Sequence, residues 1–251
     1  IEKGDKDRIC VNIPPRHGKS QLVSIFFPAW FLGRNPDKKV MMVSHTTDLA
    51  VDFGRKVRNL IALDSYRSIF PTVKLAQDSK SAGRWNTNVG GEYYACGIGS
   101  ALAGRGADLL LVDDPHSEQD VINGNFGVFE KAYEWFTFGA RTRLMPKGRV
   151  AIIQTRWHLD DLTGRVVRDM GKNERADQYE VVEFPAILDV LDKKTEKTIQ
   201  KPLWPEFFDL EALLRTKASM PVFQWNSQYQ QQPTTEEAAI VKREWWNEWA
   251  K

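Results

Sequence analysis

Arg8-Ile9-Cys10-Val11-Asn12-Ile13-Pro14-Pro15-Arg16-His17-Gly18-Lys19-Ser20 is an apolar run that breaks into a turn and closes on Gly-Lys-Ser where a helical pattern begins. Strand, loop and helix in that order hold phosphates. The glycine lets the backbone approach a β-phosphate, the lysine reaches the β and γ oxygens, and the serine hydroxyl ligands Mg2+; the helix start adds free N–H groups and a positive dipole end. On this reading Pro15, Arg16, His17, Gly18, Lys19, Ser20 and Gln21 bind the nucleotide, with Ser20 also on the metal. Ile13 stands where the usual G-x-x-x-x-G-K-[ST] pattern has its first glycine, Pro14-Pro15 stiffen the loop, and Arg16 brings a cation into it.

Downstream, short apolar strand candidates alternate with amphipathic helical patterns. The strands are read at Arg8 to Pro14, Lys39 to His45, Glu92 to Gly97, Leu109 to Asp114 and Arg149 to Thr155. Helices are read at Lys19 to Gly33, at Thr47 to Leu63 with a stripe of Leu49, Phe53, Val57, Leu60 and Ile61, and at Phe126 to Leu144 with a stripe of Phe126, Phe129, Tyr133, Phe136 and Ala140. A further helix, Asp160 to Met170, opens with two acids at its positive end. That rhythm predicts an α/β fold, a mainly parallel sheet flanked by helices on both faces. From about Pro185 the texture changes to a charged stretch, Pro202-Leu203-Trp204-Pro205, two short helices and Tyr229-Gln230-Gln231-Gln232-Pro233. The expected division is a core over residues 1–185 and a small lid or linker subdomain over 186–251.

Leu109-Leu110-Leu111-Val112-Asp113-Asp114-Pro115 is a strand buried on both faces that ends in two carboxylates, the arrangement that holds Mg2+ opposite a phosphate loop. Asp113 is the expected metal acid. Asp114 and Glu118 compete for orienting the attacking water, since an Asp is one methylene shorter than the Glu usual there. The third strand ends in Gln154-Thr155-Arg156-Trp157-His158, which puts Gln154 and Thr155 at the ligand edge of the sheet beside a γ-phosphate. Trp157 and His158 are expected to pack beneath the lid. His45, His116 and His158 lack metal-ligand spacing and read as polar loop residues. Arginine fingers stabilise phosphoryl transfer; Arg16 is placed to act in cis, Arg105, between two glycines shortly before the acidic strand, reads either as a finger or as a solvated cation in a flexible turn, and Arg141 and Arg143 are further candidates for a finger or for DNA contact. Clusters such as Arg55, Lys56 and Arg58, or Arg165 and Arg168, read as solvated helix faces.

With 251 residues, 42% hydrophobic and 27% charged, the chain has the composition of an ordinary globular protein, and no apolar run reaches the roughly 18 residues of a membrane span. Its net charge of +2 leaves any nucleic-acid contact to local clusters. Cys10 and Cys96, without metal spacing, read as buried thiols in a reducing compartment. The start at Ile1, with no initiator Met and no secretion signal, suggests a piece of a longer chain.

Three segments in order carry a resemblance: Pro14-Pro15-Arg16-His17-Gly18-Lys19-Ser20, Gly104-Arg105-Gly106-Ala107-Asp108-Leu109-Leu110-Leu111-Val112-Asp113-Asp114-Pro115, and Thr155-Arg156-Trp157-His158-Leu159-Asp160-Asp161-Leu162. Together they resemble the ATPase domain of tailed-phage large terminase subunits. The likeness extends to Phe27-Pro28-Ala29-Trp30, Leu203-Trp204-Pro205 and Tyr229-Gln230-Gln231-Gln232-Pro233. It implies a P-loop NTPase of the RecA-like, additional-strand catalytic-acid (ASCE) type, hydrolysing ATP with Mg2+ to drive double-stranded DNA into a procapsid. It further implies action in the host cytoplasm, with portal protein and small terminase subunit as partners. The assembly would be a homo-oligomeric ring, a pentamer, on the portal, and the free chain a monomer. Carried over by motif, Lys19 and Ser20 hold nucleotide and metal, Asp113 is the strand acid, Asp114 takes the catalytic carboxylate position, Thr155 lies in the coupling motif, and Arg105 sits where related motors present a finger to the next subunit. The family's nuclease domain has no counterpart in these residues, which run out at Trp245-Trp246-Asn247-Glu248-Trp249-Ala250-Lys251, so no DNA cleavage is expected of them. The adenine-contacting segment before the phosphate loop is short. Two rival readings stand beside this one: a nucleotide-binding assembly module with little intrinsic turnover, and a helicase-like translocase, which would need a second RecA-like lobe.

Overall fold

The computed structural model describes residues 1, 3–79, 81–122, 124–191 and 196–234. The segment from Trp245 to Lys251, where a connection to a nuclease domain was expected, and the rest of the expected subdomain past residue 234 lie outside the described residues.

In chain order the elements are β1 (Arg8–Asn12), α1 (Phe27–Arg34) entered through a π-helical turn at Gln21–Phe26, β2 (Lys39–Ser44), α2 (Thr47–Ile61), α3 (Asp64–Ile69), β3 (Arg84–Asn86), β4 (Glu92–Gly97) and β5 (Ala107–Asp113). There follow α4 (Glu118–Ile122), α5 (Gly127–Glu134) running on through a π-helical Trp135–Ala140 and a 3-10 turn at Arg141–Arg143, β6 (Leu144–Gln154), α6 (Leu162–Lys172), β7 (Glu180–Glu183), β8 (Ile187–Leu191), β9 (Thr198–Pro202), α7 (Leu210–Ala218) and α8 (Val222–Gln228). Seven strands form one sheet in the order β3-β4-β2-β5-β6-β1-β7, parallel throughout except for the edge strand β3, which runs against β4. β6 lies between β1 and β5, in register with both: Asn12 sits opposite Gln154, and Asp113 opposite Ile153. An additional strand therefore separates the phosphate-loop strand from the acid strand.

Strand composition explains the layering. Leu109, Leu110, Leu111 and Val112 alternate between the two faces and all are buried, each leucine contributing about 1.5–3 kcal/mol. On one face Leu109 and Leu111 pack with Phe31, Leu32, Phe53, Val57 and Ile61 from α1 and α2. On the other, Leu110 and Val112 pack with Phe136, Ala140, Leu162 and Val166. Thr46 caps α2 by accepting from Leu49 N at 3.3 Å. The stripe of the long aromatic helix holds at Phe129, Phe136 and Ala140, which are buried, and fails at Phe126, which is exposed: it precedes the first turn of α5 and lies outside the stretch facing the sheet. β6 starts five residues ahead of the expected Arg149, because it pairs with Ala107 through a register shift.

β8 and β9 form a separate antiparallel pair, and with α7 and α8 they enclose a small core of Ala186, Ile187, Leu213 and Trp225. It meets the larger core at the phosphate loop, where His17 stacks on Phe208 at 5.0 Å, and at the end of β6, where Arg156 N donates to Gln231 Oε1 at 3.1 Å. No described helix is long and apolar enough to cross a membrane.

Candidate active site

β1, β5 and β6 end side by side, and the loops leaving them converge on one cleft of about 780 Å3 whose walls include Pro15, Lys19, Asp114, Glu118, Thr155 and Trp157. The loop after β1 needs no glycine at Ile13. That residue is still sheet-like, its N–H donating to Gln154 O at 3.1 Å and its carbonyl accepting from Thr155 Oγ1 at 3.1 Å. The left-handed turns fall later, at Arg16 (φ +63°) and Gly18 (φ +80°). At Gly18 any side chain would be strained. Arg16 accepts the strain in an exposed position, with no hydrogen bond or ion pair among the described residues. His17 is buried, its Nδ1 2.8 Å from Pro15 O, so Nδ1 carries the proton and donates; burial is the main cause that lowers its pKa. Gln21 is exposed at the start of the π-helical turn.

Lys19 Nζ lies 2.8 Å from Asp114 Oδ2, and Thr155 N donates to Asp114 Oδ1 at 3.1 Å. Asp114 holds φ +43°, which turns its carboxylate away from the strand and toward these two groups. Lys19, the strand-end acid Asp114 and Thr155 at the end of β6 thus form one cluster. Glu118 opens α4, exposed on the wall of the same cleft.

Asp113 is fully buried and accepts from Ser24 Oγ at 2.6 Å, while its Oδ1 has no partner among the described residues. Burial above all, and then the neighbouring Asp114 charge, raise its pKa, against the pull of Lys19, Ser24 and Ser20. An orphaned carboxylate oxygen beside a serine hydroxyl fits a hard cation such as Mg2+, which takes few protein ligands and keeps the rest for phosphate and water. Among the described residues no group of three or more His, Cys, Asp or Glu suits a metal held by side chains alone. Ser24 was not foreseen; its position four residues after Ser20, on the same helical face, was the available signal.

Several sequence expectations need correcting. Gln154 is buried with neither side-chain polar atom bonded, its side chain turned to the face that carries α6 and away from the phosphate-loop helix. His116 is a core residue: its Nε2 accepts from Leu162 N at 2.9 Å, its ring meets Phe129 edge-on at 4.7 Å, and burial lowers its pKa to about 4. His158 stacks on Phe129 at 5.4 Å and so packs on α5 instead of the lid, while Trp157 lines the cleft together with α8 residues such as Gln224. Arg105 sits at the opposite, amino-terminal edge of the sheet, pairing with Glu92 at 3.2 Å and lying 4.3 Å over the Tyr94 ring, which removes it from its own chain's cleft and makes it no free turn cation. Arg141 is held by Asp177 at 2.6 Å near that same edge. Arg165 and Arg168 pair with Glu130 and Asp160, and Arg55 and Lys56 with Asp52. Cys10 and Cys96 need no correction: they are buried free thiols as expected, both pushed up to about 12 by burial.

Arg156 and Asp161, unassigned by sequence, organise the loop between β6 and α6. Asp161 is fully buried, caps α6 through Gly164 N at 2.9 Å, accepts from Trp157 N at 3.0 Å, and takes the Arg156 guanidinium at 2.8 Å.

A family model, "Terminase large subunit, T4likevirus-type, N-terminal", matches residues 10–248. The fold is similar to the large terminase ATPase domain of Thermus phage P74-26, with a TM-score of 0.55 at 15% identity over 92% of this chain and 90% of that one. It is also similar to the bacteriophage HK97 large terminase, with a TM-score of 0.54 at 14% identity over 92% and 48% of the two chains. The large terminase of a thermophilic bacteriophage in complex with ADP gives 0.53 at 11% identity over 90% and 48%. This chain spans about half the length of the two full large terminases. No curated protein matches it by sequence.

Proposed function

From the premise that this chain belongs to the T4likevirus-type terminase large subunit N-terminal family, we propose that it is the Mg2+-dependent ATPase that powers double-stranded DNA translocation into a procapsid. The observation that carries this is the joining of Lys19, Asp114 and Thr155 at the carboxyl edge, where loop, acid strand and coupling strand touch in one cluster.

Lys19 binds the β and γ oxygens, with N–H groups of Gly18 to Gln21 at the positive helix end. Ser20 and Asp113 would hold Mg2+, which when bound neutralises charge on the β and γ phosphates. Water attacks the γ-phosphorus in line, Asp114 orients it and takes its proton, and ADP leaves with inorganic phosphate. Glu118 is the reserve carboxylate on the cleft wall. Arg16, exposed on the loop, supplies charge in cis; Arg105, presented at the far edge, supplies it to a neighbouring subunit in a ring on the portal. Loss of the γ-phosphate is felt at Asp114, passes to Thr155 N, and reaches the lid through Arg156 N and Gln231. In this reading residues 1–185 are the motor core and 186–251 the lid and linker, with portal and small subunit as partners in the host cytoplasm.

One observation favours the assembly-module reading for the isolated chain. Both Asp114 oxygens are engaged, by Lys19 and by Thr155 N, so in the absence of a γ-phosphate to draw Lys19 away the carboxylate is held in an idle arrangement. A helicase-like translocase is less well supported, since the family model that matches residues 10–248 is that of a terminase large subunit. Phosphate release, measured with and without DNA across a range of protein concentrations, separates the readings: turnover that rises with DNA or concentration and vanishes in Lys19→Ala supports the motor, and full turnover in Lys19→Ala overturns it.

A further inference from the structure

The phosphate end of the site is well furnished by Lys19, Asp114 and Thr155; a nucleobase needs in addition a flat, exposed apolar surface beside the loop. Such a surface lies on the other side of Gly18. Trp204, in the turn between β9 and α7, places its Cζ3 3.8 Å from where a Cβ on Gly18 would stand. Its ring stacks on Phe207 at 4.9 Å and 26°, and Phe207 meets Phe208 edge-on at 4.9 Å. Phe208 in turn stacks on His17 of the phosphate loop. The buried end of this ladder fastens the loop, while at its outer end Trp204 and Phe207 remain 41% and 58% exposed. Backbone bonds hold the turn: Phe207 N and Phe208 N both donate to Trp204 O, at 3.1 and 2.8 Å, and Leu203 N donates to Ala186 O at 2.8 Å.

We infer that Trp204 and Phe207 form the platform on which the nucleobase stacks. The inference rests on the nucleotide reading of the phosphate loop. Lys19, Asp114 and Thr155 line the cleft on one side of the loop, whereas Trp204 and Phe207 take no part in it. A nucleotide with its terminal phosphate toward Asp114 therefore sends its base the opposite way, over Gly18 and onto the exposed rings. Stacking on an aromatic face needs no hydrogen-bond readout. The lid then senses the base directly, since both platform rings belong to it.

Calorimetric titration of the whole chain with ADP and with inorganic pyrophosphate tests this. The expected result is that the parent binds ADP more tightly than pyrophosphate. Trp204→Ala and Phe207→Ala each weaken ADP about 5- to 100-fold with pyrophosphate affinity unchanged, and Trp204→Phe restores most of the loss. Unchanged pyrophosphate binding certifies that a variant still folds its loop. Equal weakening of both ligands, or no weakening of ADP, overturns the platform. Pyrophosphate bound by the parent as tightly as ADP overturns the platform alone, whereas a parent that binds neither ligand overturns the nucleotide reading as well.

Discussion

Lys19 and Asp114, from loops that leave two different strands, meet with Nζ and Oδ2 2.8 Å apart. The lysine that the proposed mechanism gives to phosphate is thus held by the carboxylate that it gives to water. A γ-phosphate competes with Asp114 for Lys19, and success frees an Asp114 oxygen to accept a proton. Asp114→Asn removes the charge that holds Lys19, so nucleotide binding is expected to be no weaker while turnover falls roughly 10²–10⁴-fold. Glu118→Gln, on the exposed wall, is expected to lose far less. Single-turnover phosphate release beside nucleotide titration checks both; comparable losses in the two variants would move the base role to Glu118.

Thr155 joins Asp114 through its N–H and the phosphate-loop strand through its hydroxyl. Thr155→Val keeps the first bond and strips the second, leaving the buried Ile13 carbonyl without that donor at a cost of about 1–3 kcal/mol. Nucleotide affinity is expected to hold while turnover drops, and Thr155→Ser should recover it. A loss of affinity equal to the loss of turnover would deny Thr155 a coupling role.

Arg156 and Asp161 form a buried ion pair, but the two are not equivalent. Removing Arg156 leaves an Asp161 still held by backbone N–H groups; removing Asp161 leaves a buried guanidinium and also uncaps α6. Arg156→Met is expected to lower unfolding free energy by about 3 kcal/mol and Asp161→Ala by roughly 1 kcal/mol more. Denaturant midpoints in the reverse order would contradict this geometry.

Burial lowers the His116 pKa from 6.5 to about 4. Between those values the unfolded chain binds a proton that the native chain refuses, so this histidine's share of stability is complete above pH 6.5 and drains away as pH falls toward 4. The share lost by pH 5 is about 2 kcal/mol. His116→Gln retains an acceptor for Leu162 N without the titration, and its stability is expected to fall less between pH 7.5 and pH 5. Parallel stability profiles for parent and variant would refute the assignment.

Arg105 lies at the edge of the sheet opposite its own cleft, so Arg105→Ala is expected to leave nucleotide affinity intact. It should abolish only the part of turnover that grows with protein concentration. Arg16→Ala, by contrast, is expected to slow turnover at every concentration. Mixing Arg105→Ala with Lys19→Ala subunits offers a direct check: recovered turnover means that one subunit's arginine serves another's site, and no recovery argues against sharing.

Sequence alone determined the parallel α/β core, because strand-length apolar runs buried on two faces and helical stripes are local periodicities, legible one segment at a time. It also pointed to Lys19, Ser20, Asp113, Asp114 and Thr155, since in a parallel sheet every strand delivers its carboxyl end to the same edge, and a motif at a strand end is located by the strand itself. Only the tertiary structure decided the rest. That Ile13 needs no glycine, that Ser24 reaches Asp113, that His116 is buried under α6, and that Arg105 faces away all depend on which strands are neighbours and which way side chains turn. Those are contacts between segments 89, 46 or 142 residues apart, and no local pattern encodes a partner at that distance. The same reason hid Trp204 and Phe207: their place against Gly18 exists only once the lid has closed its own small core and docked on the phosphate loop.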